Sequence, residues 1–111
     1  MNEQIIKGLD EVIEDQNHMA ESFPDSLVNY KERTKVLEVA REILLTGKKG
    51  EDVLDSFDAV NKLANGFARH YFDLIAGSNR HDLYNKYRDF AITLSRTVDA
   101  LFNAYAEGTA E

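Results

Sequence analysis

Between residues 53 and 74, apolar side chains recur at Val53, Phe57, Val60, Ala64, Phe67, Tyr71 and Leu74, at intervals of 4, 3, 4, 3, 4 and 3. Only a helix puts all seven on one face, and the repeat is a heptad stripe. Leu54, Leu63, Ala68, Phe72 and Ile75 widen the stripe, so the spacing predicts a helix over about 51–76 with a broad core-facing side. The next segment repeats the pattern with Leu83, Tyr87, Phe90, Ala91, Leu94, Val98, Leu101, Phe102 and Tyr105, predicting a helix over about 80–107 that fades near Gly108. At 1.5 Å per residue these two helices are about 39–42 Å long. Only the short stretch GSNRH (77–81) joins them, so they fold back antiparallel.

The first half is less regular. Ile5, Ile6, Leu9, Val12, Ile13 and Met19 predict a helix over about 3–20, ended by SFPDS (22–26), which holds the single proline, Pro24. Ser22 and Asp25 are candidate caps for a second helix over about 26–46, carried by Leu27, Val28, Val36, Leu37, Val39, Ala40, Ile43 and Leu44. Asn29 and Tyr30 fit its first turn poorly. No segment alternates with period two, so no sheet is expected. Residues 1–111 read as one all-α domain, an antiparallel four-helix bundle with a long C-terminal helical hairpin.

The connection between the second and third helices, LLTGKKGED (44–52), raises the first functional question. One RNA-binding module clamps a phosphate backbone with a glycine-x-x-glycine loop, but that loop sits beside strands, and none is expected here. Capping rules account for the same residues: Gly47 ends one helix in the left-handed conformation, and Lys48 and Lys49 face its negative end. Glu51, Asp52 and Asp55 then favour the positive end of the next. The stretch reads as a turn. Gly8 and Gly66 fall inside helices, where each costs about 1 kcal/mol against alanine, and each can admit a neighbouring backbone.

With 43% apolar residues among 111, the chain can build a real core. Its lack of cysteine excludes disulfides, thiolate metal sites and cysteine nucleophiles. No apolar run approaches the roughly 20 residues of a membrane span, and MNEQIIKGLDEV lacks the basic-then-apolar order of a signal peptide, so the expected setting is the cytoplasm. The net charge of −7 opposes binding to nucleic acid or anionic membranes. The charge is also uneven: residues 1–60 hold 14 acids and 7 bases, and residues 61–111 hold 6 of each.

Catalytic constellations are hard to find. Glu51, Asp52, Asp55 and Asp58, paired with Glu11 and Glu14 or with Glu38 and Glu42, have the residue types of a helical metal-dependent nucleotide hydrolase. Helix-start electrostatics explain the first cluster without a metal. Di-iron bundles need a glutamate three residues before a histidine on two helices, and only Asp15 before His18 even supplies an acid. No arginine stands four to six residues before any histidine, and no serine or threonine has a histidine at an activating spacing. Catalytic residues, metal ligands and cofactors are therefore not assigned.

Two charged surfaces remain. Arg69, His70, Arg80, His81 and Arg88, with Lys86 and Tyr84 nearby, gather toward the tip of the long hairpin, a candidate anion or nucleotide site diluted by Asp73, Asp82 and Asp89. On the first helix Asp10, Glu11, Glu14 and Asp15 form a candidate surface for a basic protein partner. The leading expectation is a small acidic, non-enzymatic regulator or inhibitor, of the kind that confers immunity or counters a defence, acting through a protein partner. The long aromatic-rich stripes add the expectation of a homodimer.

Overall fold

A computed structural model describes residues 2–77, 79 and 81–109. It contains helix α1 (Glu3–Ser22), α2 (Tyr30–Thr46), one 3-10 turn (Gly50–Val53), α3 (Leu54–Gly77) and α4 (His81–Thr109). Among the described residues there is no strand, and no helix is long and apolar enough to cross a membrane. Side-chain pairings fix the directions. Asp10 meets Arg41 and Gln16 meets Arg33, so α1 and α2 are antiparallel. Phe57 meets Phe102 and Phe67 meets Tyr87, so α3 and α4 are antiparallel too. Gly8 lies against Thr93, and Asp15 pairs with Lys86, which closes α1 onto α4. The result is an up-down-up-down bundle, 50 × 27 × 22 Å.

The core follows the stripes. Leu9 and Val12 from α1, Leu37 and Ala40 from α2, Val60 and Phe67 from α3, and Leu94 and Leu101 from α4 are all buried. Each fully buried Leu or Val contributes about 1.5–3 kcal/mol relative to exposure, so these layers supply most of the stabilisation. Thr34 and Thr97 are buried as well, and each satisfies its hydroxyl on the carbonyl one turn back, Tyr30 O at 3.0 Å and Thr93 O at 2.8 Å. The widening of the α3 face is narrower than expected: Leu54, Phe72 and Ile75 are exposed, as is Phe102 on α4. Leu63, midway along α3, does pack against the core; the exposed members lie toward the two ends of the helix.

The start of α2 differs from expectation by four residues. Phe23 accepts a hydrogen bond from Ser26 N–H, with Pro24 at the second position of the turn, where its fixed φ is favourable. Ser26 Oγ then accepts from Val28 N–H, and Asn29 Oδ1 accepts from Glu32 N–H at 3.0 Å as the true N-cap. Leu27 and Val28 looked like helix positions because they are apolar, yet both lie in the exposed connection. The first residues of the expected third helix, Glu51 to Val53, form the 3-10 turn that leads into α3.

The glycine-x-x-glycine stretch is a turn, and its two glycines serve different ends. Gly47, at φ 74°, caps α2, with its own N–H and that of Lys48 both donating to Ile43 O. Gly50, at φ 82°, is buried against the last turn of α4. That helix continues through Gly108 rather than fading there. A Cβ on Gly108 would stand 2.0 Å from Gly50 N and 2.3 Å from Gly50 Cα, so only glycine permits the contact. Lys49 and Glu107 form an ion pair across the same junction at 2.9 Å. Of the two glycines expected inside helices, Gly8 does admit a close neighbour, the side chain of Thr93. Gly66 does not: nothing lies within 4 Å of where its Cβ would be. Gly108→Ala is expected to lower the free energy of unfolding by about 1–3 kcal/mol, the usual range for overpacking. Urea titration checks this, and an unchanged midpoint would mean that the end of α4 does not seat the turn.

Candidate functional site

The interior changes character toward the end of the bundle where α1 finishes. On α1 the buried stripe runs Leu9, Val12, Gln16, so its third member is polar, and Gln16 is only 1% exposed. On α2 the inward residues after Leu37 are Thr34, Arg33 and Tyr30; on α4, moving the same way from Phe90, they are Tyr87 and Lys86. With His70 of α3, all four helices bring polar groups to one level. Between them lies a cleft of about 180 Å³, lined by Gln16, Val28, Tyr30, Arg33, Gly66, Phe67, His70 and Tyr87. A larger groove of about 490 Å³ at the opposite end runs past Ile5, Ile43 and Ala104, and there Lys49 is engaged by Glu107.

The charges at the polar level are unevenly matched. Lys86 forms an ion pair with Asp15, and Asp15 also accepts from Gln16 Nε2 at 2.9 Å. Arg33 has no carboxylate within ion-pair distance among the described residues. Its Nη1 donates to Gln16 Oε1 at a long 3.4 Å, and its guanidinium lies over the rings of Phe67 at 5.3 Å and Tyr30 at 5.8 Å. One local positive charge is left over, inside a protein whose net charge is −7. Tyr87 packs its ring edge-to-face with His70, centroids 4.4 Å apart. Burial, reinforced by the Asp15 carboxylate, raises the Tyr87 phenol above its ordinary value of 10.0, so it is a neutral donor at physiological pH. Among the described residues, the Tyr30 and Tyr87 hydroxyls and the His70 ring nitrogens carry no hydrogen bond.

The residues expected at the hairpin tip have different surroundings. His70 reaches the cleft. Arg69 is exposed on α3, Arg88 pairs with its neighbour Asp89 at 3.3 Å, and His81 packs on Tyr84, centroids 5.0 Å apart. Arg80 lies outside the described residues. The acids of α1 divide as well. Asp10 is bound to Arg41 at 2.6 Å, and Asp15 is bound to Lys86 with its side chain only 12% exposed. Glu11 and Glu14 remain exposed and form no ion pair among the described residues. Asp58 pairs with Lys62 one turn on, at 3.3 Å. No three carboxylates or histidines among the described residues converge closely enough to hold a metal ion.

Gln16, Tyr30, Arg33, Lys86 and Tyr87 were not singled out together from sequence. A signal was present: Tyr30, Arg33, Leu37, Ala40 and Leu44 sit at intervals of 3, 4, 3 and 4, which places a cation on the core stripe. No protein-family model, curated protein or solved structure matches the chain.

The Tyr87 environment has a pH signature. The folded chain holds this proton more tightly than the unfolded one, so stability is unaffected below the ordinary phenol value and falls as pH rises from there to the raised folded value. Spectrophotometric titration should place the Tyr87 transition, identified by its loss in Tyr87→Phe, above 10.0, and Asp15→Asn should move it down. A Tyr87 transition at or below 10.0 would contradict this placement.

Proposed function

We propose that the chain is a non-enzymatic regulator or inhibitor that binds a protein partner through the outer face of α1 and the connection that follows it. The observation that supports this reading is a stripe of uncompensated acids leading into exposed apolar residues. Glu11, Glu14, His18 and Glu21 recur at intervals of 3, 4 and 3, all exposed. None of the three glutamates has an ion-pair partner among the described residues. Like charges at such spacings cost a few tenths of a kcal/mol each, and folding gains nothing from them. At the end of the stripe stand Phe23, 55% exposed, and Leu27, with Val28 beside them. Phe72, 65% exposed, and Ile75 lie on α3 at the same end of the bundle. Exposed apolar residues rimmed by charge of one sign suit a partner with a basic rim around an apolar centre.

Asp10 and Asp15, engaged with Arg41 and Lys86, serve the bundle and not the partner in this reading. The test uses the immobilised chain, lysate of the source cell, and mass spectrometry. Wild type should retain one protein in near-equal amount whatever the nuclease or magnesium treatment. Glu11→Lys with Glu14→Lys should lose it at physiological salt, and Phe23→Ser should weaken it at least tenfold while the helical circular-dichroism spectrum is unchanged. Equal retention by the charge-reversed variant would remove the acidic stripe from the account. Sedimentation that finds wild type dimeric and Phe23→Ser monomeric would instead give the apolar end to a second copy of the chain.

A further inference from the structure

The cleft between Gln16, Tyr30, Arg33, His70 and Tyr87 lies inward of the α1 surface and meets it at Val28, and we propose that it binds a small carboxylate carrying an apolar body about the size of one ring. Charge sets the anion. Among the described residues Arg33 and Lys86 are opposed only by Asp15, and Asp15 is already taken by Lys86 and Gln16. Arg33 is left with a fork of N–H donors that matches a carboxylate, and among the described residues its guanidinium makes one hydrogen bond, a long one to Gln16. The hydroxyls of Tyr30 and Tyr87 supply further donors at the same level.

Size sets the body. A cavity of 150 Å³ accommodates benzene, so about 180 Å³ holds one substituted ring and is too small for a nucleotide. The rings of Phe67, Tyr87 and Tyr30 give that body apolar walls. Gly66 then acquires a reason. It stands mid-helix at the exposed mouth of the cleft, it weakens α3, and nothing within 4 Å would obstruct a side chain there. The fold does not require glycine at this position, whereas an open entrance does.

Benzoate is the probe, with acetate and inorganic phosphate as comparators, each titrated well past millimolar concentration against the full chain and followed by two-dimensional NMR. Benzoate should give saturable shifts centred on Arg33, Phe67, His70 and Tyr87, acetate should bind more weakly, and phosphate more weakly still. Arg33→Gln should reduce benzoate affinity at least about tenfold. Gly66→Leu should abolish binding without unfolding, because the new side chain begins in open space, and Gly66→Ala should raise the melting temperature. Absence of saturable shifts, phosphate binding tighter than benzoate, or undiminished affinity in both Arg33→Gln and Gly66→Leu would each overturn the proposal. So would a Gly66→Ala variant less stable than wild type.

Discussion

Arg33 is a cation placed on the core stripe of a four-helix bundle, and the arrangement of one end of the molecule depends on accommodating it. Transferring a guanidinium out of water costs several kcal/mol unless donors and charge are met. Among the described residues they are met only in part, by ring faces, Phe67 on α3 and Tyr30 on α2, and by one long hydrogen bond to the amide of Gln16 on α1. The amide of Gln16 is in turn held by Asp15, whose carboxylate is held by Lys86 from α4. One side chain thus links four helices through polar contacts where the rest of the interior uses Leu, Val and Phe.

The opposite end solves a different problem. Antiparallel helices of 24 and 29 residues leave the last turns of α4 with little to rest on, and the molecule brings the α2–α3 turn across to meet them. Backbone touches backbone at Gly50 and Gly108, with Lys49 and Glu107 paired beside it. One end is closed by main-chain contact; the other is open, polar and rimmed by exposed apolar residues. The functional proposals both belong to the open end, where the sequence departs from what stability alone would select.

The long stripes on α3 and α4 were legible because a heptad repeat of seven members has no other economical meaning, and the turn at 47–50 was legible from capping chemistry. The start of α2 was not, since Leu27 and Val28 mimic a helical face while Pro24, Ser26 and Asn29 govern the local hydrogen bonds. Charged residues were the hardest to place. Asp10 and Asp15 look like their neighbours Glu11 and Glu14 in a list of acids, yet a rotation of about 100° per residue turns some toward Arg41 and Lys86 and leaves the others in water. Arg33 is hard to place because a basic residue reads as surface, although its position on the stripe points inward. Phe72 and Ile75 were read as core because periodicity reports a face, and it does not report whether a neighbour is long enough to cover it.

If the polar level exists for binding and the apolar layers hold the fold, the bundle should stand without Gln16 and Arg33. Replacing both partners of a buried polar contact by apolar groups of similar shape is commonly neutral or stabilising, unlike replacing one. The free energy of unfolding in urea of the double variant Gln16→Met/Arg33→Met measures this directly. The account predicts a value equal to or above that of wild type. A loss of more than about 3 kcal/mol, beyond the cost of one unsatisfied buried group, would show that the polar level holds the four helices together and would contradict a binding role for Arg33.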